Sequence, residues 1–162
     1  MEKEYRKNVG AVIIKNKSFW TGKRSDIDDD NGGWQFPQGG VEENEDSDEA
    51  IYREIFEETG IKKEKLKLIA KFPESIKYDF PENVVKKSVG TKWEKWRGQE
   101  QFWYFFDFLG QDNDVNLNIT NQQEFKKWEW KDENFIVNNI VEFKKNTYLK
   151  LFDFLKKKKL IV

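Results

Sequence analysis

Three glutamates, Glu54, Glu57 and Glu58, stand at i, i+3 and i+4 of a segment with helical periodicity. At 100° per residue their carboxylates fall on one face, within about 100° of arc. Ile51, Tyr52, Ile55 and Phe56 occupy the adjoining side, so one helix carries an acidic face and an apolar one. The plainest role for such an acidic face is a solvated surface, with Arg53 pairing with Glu57 four residues on. Two features argue against it. Glu54 and Glu58 are like charges at i and i+4, which repel by a few tenths of a kcal/mol. They also lie toward the C-terminal end of the helix, where the macrodipole disfavours anions. A bound divalent cation reverses both penalties, because hard cations prefer carboxylate oxygens. The glycine-rich turn at residues 34–40 precedes the helix, and its exposed carbonyls can add oxygen ligands.

What the chain lacks narrows the chemistry. It has no cysteine and no histidine. Disulfides, thiolate metal sites, Ser-His-Asp triads and imidazole proton shuttles are all excluded. Any acid–base step must use carboxylates, lysine, tyrosine or metal-bound water. The 162 residues suit one domain spanning 1–162, with aromatics at 16% supplying bulk for a core. The net charge of -1 gives no global basic field, so a polyanion site must come from a local cluster. No apolar run approaches the ~20 residues of a membrane helix, and the N-terminus has no signal-like apolar stretch. A cytoplasmic protein, and a monomer, is expected.

The elements that must hold the acidic face are partly legible. Residues 9–14 form a β-branched run that reads as a buried strand, with Phe19 and Trp20 on its hairpin partner. Residues 25–33 (SDIDDDNGG) read as an acidic loop and residues 34–40 (WQFPQGG) as turns. The helix 47–59 has Asp46 or Ser47 as its cap, Glu49 three residues after Asp46, and Gly60 as its stop. Residues 66–72 alternate as a strand, 101–109 read as a central aromatic strand, and 125–130 as another. Residues 73–99 carry no clear pattern, and 111–121 read as an Asn-rich loop. Residues 133–160 read as two helical pieces. This order predicts an α/β fold, with a mixed sheet between helical layers.

The acidic helix also resembles a known family. Gly39, five residues, Glu45, seven residues, then Arg53-Glu54-Ile55-Phe56-Glu57-Glu58-Thr59-Gly60-Ile61 matches the Nudix box at every fixed position. The resemblance implies an α/β/α sandwich with the box helix packed on a mixed sheet. It implies Mg²⁺-dependent hydrolysis of a phosphoanhydride bond, with Mn²⁺ as a substitute. Carried over, Glu54, Glu57 and Glu58 are metal ligands, one of them a base, the Gly39 carbonyl is a further ligand, and Arg53 orients the glutamates. Glu124, which opens the strand at Phe125, is the candidate base or ligand outside the box.

Stretches outside the box point to a subfamily: YRKNVG (5–10), WQFPQGG (34–40), GQEQFW (98–103), QEF (123–125) and FKK (143–145). Together they resemble bacterial RNA pyrophosphohydrolases and the related dinucleoside-polyphosphate hydrolases. The first activity removes pyrophosphate from the 5′ end of triphosphorylated RNA and exposes the transcript to decay. The second splits bis(5′-nucleosyl) tetraphosphates such as Ap4A asymmetrically. A non-catalytic Nudix binding module is a third reading, disfavoured because every box glutamate is kept. By resemblance Arg6, Arg24 and Lys144 hold phosphates and Phe143 stacks on a base. Read from the residues alone, Phe143 is as easily a core aromatic, and Arg24, Lys144 and the tail lysines 156–159 solvated surface. Trp34 and Phe36 read as packing residues. Glu100 stands where the subfamily usually has a basic residue, and the acidic loop 26–30 would repel RNA unless it points away.

Overall fold

The computed structural model describes residues 2–28 and 32–161. Two long strands make its centre. β1 (Glu4–Lys15) and β7 (Trp96–Phe108) run parallel from Glu4↔Trp96 to Ile14↔Asp107. The other strands join antiparallel. β2 (Ser18–Arg24) pairs with β1, and both β3 (Trp34–Gln35) and β8 (Phe125–Lys131) pair with β2. β4 (Gln38–Gly40) extends β1, while β5 (Leu66–Lys71) and β6 (Ile76–Asp79) lie against successive parts of β7. The sheet is therefore mixed, as the sequence predicts.

Strand alternation decides what each face buries. Val9, Ala11 and Ile13 of β1, with Tyr104, Phe106 and Phe108 of β7, face Ala50, Ile51 and Ile55 of α1 (Ser47–Thr59). Val12 and Ile14, with Trp103 and Phe105, face the other way. There they meet Ile136 of α3 (Glu133–Asn139) and Tyr148, Leu151, Phe152 and Leu155 of α4 (Lys145–Lys157). The result is the expected α/β/α sandwich. Trp34 and Phe36 are buried packing residues, and Phe36 stacks on Tyr148 with ring centroids 4.7 Å apart. Among the described residues no helix is long and apolar enough to cross a membrane.

The structure departs from the sequence reading in two places. Residues 34–40, expected as turns, contain β3 and β4, and Ala11 N donates to Pro37 O at 2.9 Å between them. β7 begins at Trp96, well before residue 101, because its polar start is buried and hydrogen-bonded. Gln99, buried, accepts from Arg6 Nη1 at 2.9 Å and donates from Nε2 to the Tyr78 hydroxyl at 2.7 Å. Buried polar groups persist only when so satisfied, and their polarity hides the strand from a hydrophobic pattern. The patternless stretch before it holds β6 and α2 (Glu82–Ser88), which Pro81 opens at φ -65.

α1 is fixed at both ends. Asp46 accepts from Glu49 N at 2.8 Å, and Asp48 is held by the Tyr104 hydroxyl at 2.6 Å and by Lys71 at 2.8 Å. Gly60 ends the helix in the left-handed region, φ 74, with its N–H on Phe56 O. A Cβ on Gly60 would stand 2.7 Å from the Asn116 carbonyl, where the Asn-rich loop is tied to Thr59 O. Gly60→Ala should therefore lower the urea-unfolding free energy by roughly 1–2 kcal/mol. A change of only a few tenths would contradict this account of the helix stop.

Candidate active site

Arg53 organises the acidic face. Its Nε and Nη2 donate to the two Glu45 oxygens at 2.7 and 2.9 Å, a bidentate pair, and Nη2 also donates to the Gly40 carbonyl at 2.8 Å. Its Nη1 donates to Glu54 at 2.8 Å and to Glu57 at 3.1 Å. One guanidinium thus ties the glycine turn to the acidic helix, which suits a rigid fork of donors better than an ammonium. The pairing with Glu45 holds Arg53 more firmly protonated than usual and pulls Glu45 below the usual carboxylate range. The two glycines permit the approach. A Cβ on Gly39 would strike the Glu54 carboxylate, and one on Gly40 the Arg6 guanidinium.

Glu54, Glu57, Glu58 and Glu124 border one cleft of about 430 Å³, closed on its far side by Thr120, Asn121 and Gln122 of the Asn-rich loop. Glu58 is only 8% exposed, and it accepts a hydrogen bond from Gln38 N at 2.9 Å. Burial, then repulsion from Glu124 and Glu54, pushes its carboxyl well above the usual range. Burial likewise raises Glu54, against the opposing pull of Arg53. This is a concentration of negative charge that Arg53, Arg6, Lys144 and the Gln38 amide only partly offset. The donor set is all oxygen, the kind that hard divalent cations take. The side chains do not close on a common point: among the described residues no three acidic groups form a ready metal cage. The physical reason is that like charges spread apart, and Arg53 draws two of them to itself.

A second cavity, of about 410 Å³, adjoins the first, and Glu124 borders both. Arg24, Lys144, Phe143, Gln35, Tyr78 and Trp93 are among its walls. Lys144, expected at the surface when read without the resemblance, is instead 6% exposed, and its Nζ donates to Gln35 Oε1 at 3.0 Å. Burial and the nearby Arg24 bring its ammonium down to about 7. Arg24 is partly exposed and pairs with Asp26 at 2.6 Å. Phe143 is not in the core; its ring lies 5.7 Å from that of Tyr78, at the cavity wall. Arg6 lines neither cavity in this arrangement. It lies over the Trp93 ring at 4.5 Å and donates to Gln99 at 2.9 Å, which in turn meets the Tyr78 hydroxyl at 2.7 Å. Asp29 and Asp30 of the acidic loop lie outside the described residues.

The sequence reading groups Gly39 with Glu54, Glu57, Glu58 and Glu124, and separately Arg6, Arg24, Phe143 and Lys144. The four glutamates border one cavity and Arg24, Phe143 and Lys144 the other, while Gly39 meets the first group only through Glu54 and Arg6 lies outside both cavities. It misses Glu45 as the anchor of Arg53, Gln38 and Gln35 as partners of Glu58 and Lys144, and Tyr78 and Trp93 as walls. Glu45, Gln35 and Gln38 all stand inside the sequence motifs, so their presence is visible there though their partners are not. Tyr78 and Trp93 lie in the patternless stretch and give no signal.

An acidic helix bound by arginine to a glycine turn defines a class. A family model described as the NUDIX domain matches residues 4–151, and the chain belongs to the Nudix hydrolase family. It is 39% identical over 151 residues to the RNA pyrophosphohydrolase of Dinoroseobacter shibae, covering 92% of this chain and 90% of that protein. Among solved structures, a C. elegans Ap4A hydrolase binary complex aligns with TM-score 0.64 at 22% identity, covering 94% of this chain and 98% of that one. A Francisella tularensis bifunctional NMN adenylyltransferase/ADP ribose pyrophosphatase, complexed with AMP and a Mn ion, aligns with TM-score 0.63 at 21% identity. That alignment covers 97% of this chain and 42% of that one. These two likenesses concern the fold.

Lys144 gives a pH signature. Its folded value, about 7, lies below its ordinary 10.5. Its burial therefore penalises folding fully below pH 7, where both states are protonated. The penalty fades from pH 7 toward 10.5, as the folded chain sheds a proton that the unfolded chain keeps. Lys144→Met should raise the melting midpoint at pH 6, with the advantage shrinking as pH climbs to 9.5. Thermal melts across that range check it; an advantage that grew with pH would contradict the assignment.

Proposed function

We propose that the protein, acting in the cytoplasm as a monomer, removes pyrophosphate from the 5′ end of triphosphorylated RNA with the help of Mg²⁺, or Mn²⁺ in its place. The observation that carries this reading is the pair of adjoining cavities sharing Glu124: one acidic, one walled by aromatic and cationic side chains. A polyphosphate end and a nucleobase need such a division. The 39% identity to an RNA pyrophosphohydrolase supports the same substrate.

Nudix hydrolases generally use divalent metal ions. Here Glu54, Glu57, Glu58, Glu124 and the Gly39 carbonyl would hold them, an all-oxygen set whose crowded charge fits the group. When bound, such a cation supplies neutralisation of phosphate charge and activation of water. The chain's own residues do the rest. Arg53 keeps Glu54 and Glu57 aimed from the helix and fixes the glycine turn against them. Arg24 and Lys144, on the wall of the second cavity, grip phosphate oxygens, and Arg6, which lies over the Trp93 ring and is bonded to Gln99, turns from there to join them. Phe143 and Tyr78 take a base by stacking. A water attacks phosphorus, one phosphoanhydride P–O bond breaks, and pyrophosphate leaves. The water's proton passes to a carboxylate, Glu57, Glu54 or Glu124, since no imidazole exists to take it.

A second reading is asymmetric Ap4A hydrolysis. Glu100 favours it, because it presents a carboxylate, bonded by Ser75 at 2.7 Å, where an extended RNA would need a cation. Specificity constants on triphosphorylated RNA and on diadenosine tetraphosphate, measured with Mg²⁺, decide between them. RNA is expected to lead; a deficit beyond about a hundredfold would replace it with Ap4A.

Two substitutions test the site itself. Glu57→Gln should abolish turnover at an unchanged melting temperature, and retained activity would overturn the ligand assignment. Arg53→Lys keeps the charge but loses the fork, and should lower activity about 10- to 100-fold, the usual cost of misaligning groups that hold a metal site. Wild-type rates in that variant would show that the guanidinium aims nothing.

A further inference from the structure

A groove of about 500 Å³ runs between β6 and α4, on the far side of Tyr78 from the glutamates. Its floor is aromatic: Phe72 and Phe154 lie 5.2 Å apart, both half-buried. Lys77, Lys150, Lys157 and Lys158 stand along it with two acids, Glu74 and Asp153. Lys157 is paired with Asp153 at 2.9 Å. Among the described residues neither Lys150 nor Lys158 has an ion-pair partner. In a chain of net charge -1 this is a local surplus of positive charge.

The groove lies next to the base cavity along β6, although the two share no wall residue. Ile76 and Tyr78 share one face of β6, about 7 Å apart at two residues of strand, the first in the groove and the second in the cavity. Opposite them, Phe143 stands just before α4, and Lys150 lies roughly 10 Å farther along the chain at helical rise. Lys150, Phe154, Lys157 and Lys158 recur at i, i+4, i+7 and i+8, so they form one stripe of that helix. Several other exits are repulsive to a polyanion, though the α2 side of the base cavity carries Lys87. The loop after Arg24 carries Asp26 and Asp28, and the first cavity carries four glutamates.

We propose that this groove carries the phosphodiester backbone of single-stranded RNA downstream of the nucleotide seated at Tyr78 and Phe143. Lys150 and Lys158 meet phosphates, and the Phe72–Phe154 floor receives an unpaired base by stacking. The proposal rests on the RNA reading above and deepens it: the enzyme reads not only a triphosphorylated end but several nucleotides behind it. Glu100 borders this route, since Ser75 of the groove wall donates to its carboxylate at 2.7 Å, and the strand is held on the α4 side by Lys150 and Lys158.

The test uses the charge reversal K150E/K158E and the conservative K150R/K158R, all exposed positions away from the catalytic groups. The specificity constant on a triphosphorylated 12-mer should fall about tenfold at low salt in K150E/K158E, remain near wild type in K150R/K158R, and be unchanged on a triphosphorylated dinucleotide in both. The salt dependence of binding of a 12-mer by wild type should be steeper than that of the reversal by roughly 1.4 in log–log slope, about 0.7 for each phosphate that the reversal no longer neutralises. An equal fall on 12-mer and dinucleotide, or no fall on either, overturns the groove. A wild-type enzyme that ignores both RNAs but splits diadenosine tetraphosphate defeats the RNA reading separately. In that case binding of a 5′-hydroxyl 12-mer still judges the groove, and indifference to the charge reversal overturns it.

Discussion

Negative charge held close to negative charge is the constraint around which this protein is arranged. Glu58 is buried beside Glu54 and within reach of Glu124 and Glu57, and each raises the energy of its ionised form. In a folded chain such crowding survives only where something opposes it. The groups bonded to the cluster are few and specific: the Gln38 amide on Glu58, and one guanidinium shared among Glu45, Glu54, Glu57 and the Gly40 carbonyl, with Arg6 and Lys144 adding charge from nearby. Their incompleteness is what the proposed cation site requires. A fully neutralised cluster would have no affinity left for a cation.

The fold supplies the rigidity that this crowding requires. The parallel β1–β7 pair is buried on both faces, and its two sides take α1 and α4 respectively. β4 extends β1, so Gly39 and Gly40 are fixed by ladder pairing opposite Val9 and Asn8 rather than left to a mobile turn. α1 is pinned at its start by Tyr104 and Lys71 and at its end by the left-handed Gly60. The distance between glycine turn and carboxylates is therefore set by sheet and helix, and Arg53 only refines it. The second cavity is built on the same frame: Tyr78 from β6 and Phe143 from the turn before α4 face each other at its wall.

The helix and its acidic face are readable from the sequence because both obey periodic rules: apolar residues on one side, carboxylates on the other, caps at the ends. The sandwich follows from the order of elements. Less legible are features whose logic is pairwise. Lys144 looks like surface by residue type, yet Gln35, 109 positions away, lets it be buried. The start of β7, before residue 101, shows no strand pattern, because Gln99 is polar and only its partners Arg6 and Tyr78 make it interior. Glu45 can be seen in the motif, but its bidentate hold on Arg53 cannot. Residues 73–99 defeat pattern reading since α2 and β6 are short and only Ile76 of β6 enters the core, while Tyr78 and α2 wall a cavity.

The central claim is that the α1 carboxylates are a cation site. Titration of the metal-free protein with Mn²⁺, followed by loss of the free-ion electron paramagnetic resonance signal, reads it without substrate or turnover. The account predicts saturable uptake by the wild-type chain that Mg²⁺ displaces and that Glu54→Gln/Glu58→Gln removes. A free-ion signal that never falls, or uptake that survives intact in the double variant, would contradict it.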